Sequence, residues 1–276
     1  MGKTCFWTPS GARLQLVRSV EGQNLNWLFL PGGPGLGSES LLQLLNILEL
    51  PGNMWCLDLP GDGSNTTSNN KEAFSHLFDA LFEAVTEFKN VILVAHSTGG
   101  MYALSTPKIE PFLKGLILLD SAPDAVWQRS FEEMVRNCPI FGMDSLQEKY
   151  LRNPNNETLK ELTIASSPYL FTKEGFNRGI EMLSSLPYNY ESCQWSDEHF
   201  DRTYQSKWVP QTIPTLILTG EQDLIIPLRM FTVAKQFHRD NIVFRSIRNA
   251  GHFPWIDNPV DVVAEFEAFC TRLDIL

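Results

Sequence analysis

Short runs of consecutive apolar residues recur along the chain, and segments with apolar residues at helical spacing lie between them. Runs of this kind suit strands buried on both faces, and strands covered by intervening helices form a largely parallel sheet. The pattern predicts eight strands: a weaker one at 4–8, then 14–20, 26–30, 54–58, 91–95, 115–120, 215–219 and 242–246. Those at 14–20 and 26–30 are expected to open the sheet as an antiparallel pair. Helices are expected at 38–48, 71–88, 98–104, 228–238 and 259–273.

The alternation breaks once. Residues 122–213 carry helical periodicity without a clear strand, as in Phe176, Ile180 and Leu183 at i, i+4 and i+7. Ser130, three residues before Glu133, fits a capping box at one helix start. An insertion between two strands of one sheet leaves and returns near one point, so this block is expected to sit as a helical cap after the sixth strand. The prediction is one α/β domain over 1–276, with a core of 1–121 and 214–276 and a cap of 122–213. The polar stretch GDGSNTTSNNK at 61–71 reads as a surface loop.

The segment with the most chemistry runs from the strand 91–95 through Ala95-His96-Ser97-Thr98-Gly99 into a helix. A strand-to-helix turn this tight needs small residues two before and two after the serine, here Ala95 and Gly99. Such a turn lifts the Ser97 hydroxyl above the sheet and aims the helix N-terminus at it. The plainer alternative makes Ser97 an ordinary helix N-cap. A nucleophilic hydroxyl needs a base, and the base needs a group that orients it. Beyond the strand 215–219 comes Gly220-Glu-Gln-Asp223, and beyond 242–246 comes Gly251-His252-Phe253-Pro254. The order Ser97, Asp223, His252 is the one a nucleophile elbow uses, although Asp120 at the end of an earlier strand competes for the role of acid.

Two N–H donors are also required for an oxyanion. The expected pair is the amide of Thr98, next to the nucleophile, and that of Gly33 in the loop Pro31-Gly-Gly-Pro-Gly-Leu-Gly37. Gly33 is preferred because Pro34 has no N–H to give. A dinucleotide-binding loop is the competing reading of these glycines, and it lacks its third glycine: after Gly33-x-Gly35 the required position holds Ser38.

Composition narrows the partners. With 22 basic and 32 acidic residues the net charge is −10, which repels nucleic acid and anionic lipid. Five scattered cysteines (Cys5, Cys56, Cys138, Cys193, Cys270) suggest neither a disulfide framework nor a thiolate metal site, and a reducing cytoplasm fits them best. No run reaches about 18 consecutive apolar residues, and the first ten residues lack an export signal, so neither membrane insertion nor export is expected. No His-x-His, His-Glu-x-x-His or paired-cysteine spacing occurs, so no metal is implied, and no organic cofactor either.

Taken together, the chain resembles the α/β-hydrolase superfamily over its whole length. The resemblance is most specific at Pro31 to Gly35, at Leu57-Asp-Leu-Pro-Gly-Asp-Gly-Ser64, at Ala95 to Gly99, and at Gly251-His252 followed by Asp257-Asn-Pro259. The second of these is similar to a loop of esterases and C–C hydrolases. The first is similar to the His-Gly-Gly-Pro-Gly loop of proline iminopeptidases, with Pro31 in place of the histidine. Dehalogenases and epoxide hydrolases of this fold use an aspartate nucleophile, where this chain has Ser97.

The resemblance implies a serine hydrolase acting through an acyl-enzyme on a small carboxylic ester or thioester, with cap residues forming an apolar pocket; Trp127, Phe131, Tyr169, Phe171 and Trp195 are candidate liners, although an amphipathic cap buries aromatics in any case. The alternatives are a proline iminopeptidase-like enzyme whose cap carboxylates hold an ammonium, a C–C bond hydrolase, and a non-catalytic ligand-binding member of the fold.

Overall fold

The computed structural model describes residues 4–20, 24–67 and 70–275. The first three residues of the segment read for an export signal, and Ser68 and Asn69 of the polar stretch, lie outside them. Eight strands form one sheet: β1 (Cys5–Trp7), β2 (Arg13–Arg18), β3 (Asn26–Leu30), β4 (Asn53–Asp58), β5 (Val91–His96), β6 (Leu113–Leu119), β7 (Thr215–Gly220) and β8 (Ile242–Ile247). The order is β1-β2-β4-β3-β5-β6-β7-β8, and β3 through β8 run parallel.

Side chains of the central strands alternate between two apolar layers. Leu28 and Leu30 of β3, with Val91, Leu93 and Ala95 of β5, join the layer under helices Leu77–Thr86 and Thr98–Leu104. Trp27 and Phe29, with Ile92 and Val94, join the layer under helices Leu42–Ile47 and Pro259–Arg272. Burial on both faces explains why these strands are unbroken apolar runs.

Three local expectations are corrected. The antiparallel opening does not pair β2 with β3: β2 lies between β1 and β4, antiparallel to both, and β3 is inserted between β4 and β5. All five residues of β3 are buried, as a central position requires, whereas β2 is half exposed and suits a place near the edge. The helix expected at 71–88 is two pieces, Asn70–Phe74 and Leu77–Thr86. Ser75 between them donates its hydroxyl to the Glu72 carbonyl, a local bond that competes with the helical ladder. The start of the stretch at 61–71 is not a surface loop, because Asp62 and Asn65 are buried and hydrogen-bonded to backbone.

Between β6 and β7 the chain forms the helices Val126–Asn137, Met143–Arg152, Asn156–Ala165, Ser167–Leu170, Phe176–Ser185 and Tyr190–His199, then a 3-10 turn at Asp201–Thr203. Ser130 lies inside the first of these and accepts a hydrogen bond from Arg229, so it caps nothing. The capping box belongs to Asn155 and Thr158. The inserted helices are tied to the sheet's loops by backbone. His252 N donates to the Leu170 carbonyl at 2.9 Å, and Asn189 N to that of Gly35 at 2.8 Å.

Candidate active site

The parallel strands end nearly in register, with His96 beside Leu119, Leu119 beside Leu218 and Gly220 beside Ile247. The loops beyond these ends therefore share one edge, where ligands of open α/β sheets collect. Ser97 follows β5, Asp120 follows β6, and Asp223 and His252 lie in the loops after β7 and β8. Ser97, Asp120 and Asn249 all have positive φ, at 50°, 45° and 52°. Non-glycine residues are held there only when their surroundings overrule the steric cost, and such positions gather at functional sites.

What overrules it at Ser97 is close packing. Ser97 N–H donates to the Leu119 carbonyl at 2.8 Å, and its own carbonyl accepts from the Ser121 hydroxyl at 2.8 Å. A Cβ on Gly99 would lie 2.4 Å from the Pro31 carbonyl oxygen, so this position must be glycine, as the tight turn predicts. A Cβ on Gly32 would lie 2.5 Å from Ser97 Cβ. Gly32 is thus a requirement of the serine's own seat, a role invisible in a sequence where it is one glycine of several.

His252 joins the site's other polar groups. Its Nε2 is 3.1 Å from Ser97 Oγ and its Nδ1 3.0 Å from Asp223 Oδ2. Asp223 is held in turn by the amides of Ile225 and Ile226, which both donate to Oδ1. All three residues are buried. With Nδ1–H donated to the carboxylate, Nε2 is left as the acceptor facing the hydroxyl. Asp120 makes no bond to this histidine; its Oδ1 accepts from Gly220 N at 2.8 Å. Burial and the adjacent Asp223 push the Asp120 carboxyl well above the carboxylate range. Among the described residues Asp120, Asp223 and His252 are also the one grouping compact enough for a metal, within 4.8 Å, but the His252 and Asp223 atoms are already engaged with each other.

His96, beside the serine, donates from Nε2 to the His252 carbonyl at 2.9 Å and packs against the rings of His252, Phe253 and Trp255. Burial lowers its pKa well below the usual histidine value, which keeps it neutral. It buttresses the loop that carries His252.

Gly33 and Thr98 line one cavity of about 200 Å³ together with Ser97 and His252. Thr98 is the first residue of its helix, so its N–H has no intrahelical acceptor. Gly33 has φ 137°, a conformation reserved for glycine. The loop is clamped from below by two carboxylates. Asp62 Oδ1 accepts from the amides of Gly35 and Gly37, and Asp58 accepts from the amide and hydroxyl of Ser38 while paired with Arg13 at 2.8 Å. Of the five candidate aromatic liners, only Trp127 lines the cavity. Phe131 packs on Tyr169, Phe171 on Phe253, and Trp195 on His199, so their periodicity reflects packing. Leu36, Leu159, Leu170, Leu183 and Ile225 make most of the apolar wall.

Comparison with known proteins agrees with this architecture. The sequence profile described as Alpha/beta hydrolase family matches residues 27–266. A pimeloyl-[acyl-carrier protein] methyl ester esterase of Wigglesworthia glossinidia brevipalpis is 25% identical over 88% of this chain and 92% of its own length. A proline iminopeptidase of Saccharolobus solfataricus is 25% identical over 90% of this chain and 86% of its own. Among solved structures, a proline iminopeptidase-related protein of Thermus thermophilus shares the fold, with a TM-score of 0.73 at 21% identity over 99% of both chains. With a profile match spanning most of its length and this sheet beneath it, the chain belongs to the alpha/beta hydrolase family.

Proposed function

We propose that this protein hydrolyses small carboxylic esters or thioesters through an acyl-enzyme formed on Ser97. The observation that carries the reading is the His252 ring, hydrogen-bonded at once to Ser97 Oγ and Asp223 Oδ2 on the floor of a cavity. Ser97 Oγ attacks the substrate carbonyl as its proton passes to His252 Nε2. The tetrahedral oxyanion is received by the amides of Gly33 and Thr98, and collapse expels the alcohol or thiol, which leaves with the proton held by His252. A water then gives a proton to His252 and attacks the acyl carbon; the acid departs and the proton returns to Ser97. Asp223 keeps Nδ1 protonated and stabilises the imidazolium at each stage. Residues 122–213 act as a cap that shapes the cavity, through Trp127, Leu159, Leu170 and Leu183.

The test compares wild type with Ser97→Ala on a series of p-nitrophenyl esters of increasing acyl length, with fluorophosphonate labelling in parallel. Turnover confined to short acyl groups, falling at least about 10³-fold in the variant, is expected. A cavity of about 200 Å³ lies below the usual range for ligand pockets, about 300–1,000 Å³, and so limits the acyl group to a compact one. Equal turnover by both proteins would remove Ser97 from the mechanism.

A further inference from the structure

His252 depends on its main chain as well as on Asp223, and that main chain is held from outside the sheet. Its N–H donates to the Leu170 carbonyl at 2.9 Å, and its carbonyl accepts from His96 Nε2 at 2.9 Å. The preceding amide, Gly251 N, donates to Asp257 Oδ2 at 2.7 Å. Asp257 ends the short helix Pro254–Asp257, is buried, and takes no part in the proposed reaction. Its carboxylate also accepts from Thr172 N, which lies 3.1 Å from Oδ2 and 3.2 Å from Oδ1. One side chain thus receives an amide from the loop that carries the base and another from the inserted helices.

Other contacts follow the same seam. Phe171 packs on Phe253 with ring centroids 5.3 Å apart, and Arg178 Nη2 donates to the Ile256 carbonyl at 2.6 Å. Two glycines permit the close approach. A Cβ on Gly175 would lie 1.9 Å from Asp257 Oδ1, and one on Gly251 would lie 2.5 Å from the Leu170 carbonyl oxygen. Leu170 is at once a wall of the cavity and the acceptor of the His252 amide. The segment 170–175 therefore meets the substrate space at one end and Asp257 at the other. Without the Asp257 side chain two backbone N–H groups in this seam lose their acceptor, a cost that a shift of the histidine loop would relieve.

We propose that Asp257 is a positioning residue: it fixes the main chain before His252 against residues 170–175, so that the base faces Ser97 only while this part of the insertion is seated. Proton transfer needs the ring within hydrogen-bond reach of the hydroxyl, and a misplacement of about 1 Å costs about 10²-fold in rate. This inference rests on the reading of His252 as the base for Ser97.

The experiment follows three variants by p-nitrophenyl ester kinetics and by the proton NMR resonance of His252 Nδ1–H, which lies far downfield because Asp223 accepts that proton. Asp257→Ala is expected to lower kcat at least about 10²-fold with KM changed less than about threefold. It should also abolish the downfield resonance while the amide resonances of β5 and β6 stay in place. Asp257→Asn keeps an oxygen where Oδ2 receives both amides, so it should retain the resonance and stay within about tenfold of wild type in kcat. Gly175→Ala keeps the carboxylate but sets a methyl against it, and should lower kcat at least about tenfold and disturb the resonance. This variant decides if Asp257→Ala does not fold. Wild-type kcat and resonance in the deciding variant overturn the proposal, and so does a loss in Asp257→Asn as deep as in Asp257→Ala. If wild type turns over no ester, the hydrolase reading has failed, and the resonance judges Asp257 separately. Its persistence in the deciding variant overturns the assignment, and its loss above an unchanged sheet supports it.

Discussion

Gly32 shows how much of the site is fixed by what a residue lacks. Its missing Cβ leaves room for Ser97 Cβ and the His96 carbonyl, which an alanine methyl would approach to 2.5 and 2.8 Å. Both neighbours are held by the turn after β5, so the strain has no flexible side chain to absorb it. Gly32→Ala should keep the fold but cost about 1–3 kcal/mol, the usual range for overpacking. Because the displaced group is the serine itself, kcat/KM should fall by about 10² or more, in line with the effect of about a 1 Å misplacement at a reaction centre. Thermal melts and ester kinetics on one preparation check both, and wild-type kinetics would show that the seat of Ser97 is looser than its packing implies. From the sequence, Ser97, Asp223 and His252 stand out because each sits just past an apolar strand. Gly32 does not, since its role depends on what lies across a gap from it.

At the scale of elements, Asn189 joins the inserted helices to the glycine loop. Its side-chain oxygen accepts from Glu191 N at the start of the helix Tyr190–His199, its amide donates to the Gly61 carbonyl at 2.6 Å, and its backbone N–H donates to that of Gly35. Asn189→Ala removes an N-cap worth about 1 kcal/mol and one buried hydrogen bond of similar size. A loss of about 1–3 kcal/mol is expected, concentrated locally: hydrogen exchange should rise in residues 190–199 and 35–37 and stay unchanged in β5 and β6. Uniform acceleration across the sheet would mean that the two elements are not coupled through this residue. Element type was largely legible in the sequence, because buried parallel strands leave long apolar runs. Element detail was less so. A Ser-x-x-Glu pattern at Ser130 looks like a cap only until Arg229 is seen donating to it, and Ser75 breaks a helix by a bond that periodicity cannot register.

For the whole molecule, the net charge of −10 hides an uneven cost. Asp62 is buried beneath the glycine loop with Asp58 close by, and burial together with that charge pushes its carboxyl up to about 8 despite two backbone amides donating to it. Its folded value is raised above the ordinary one near 3.8, so between about pH 4 and 8 the native state holds a proton that the unfolded chain has lost. This contribution is fully present below that window and is lost as pH rises through it, at no more than about 1.4 kcal/mol per pH unit. Asp62→Asn keeps the oxygen acceptor and removes the titration. Its stability relative to wild type, from urea unfolding at pH 5, 7 and 9, should therefore improve as pH rises. A difference that does not change with pH would show that Asp62 is already ionised in the folded protein at pH 5. Among the described residues no helix is long and apolar enough to cross a membrane.

The sequence by itself determined the class of fold and the order Ser97, Asp223, His252, since both are written in short local signals: apolar runs, small residues around a turn, glycines beside a late histidine. Only the tertiary structure decided the rest. It placed β3 between β4 and β5, gave His252 to Asp223 rather than Asp120, and sent four of the five candidate aromatics into packing. Each of these outcomes depends on contacts between residues far apart in the chain, and a local pattern carries no record of which distant partner closes the contact.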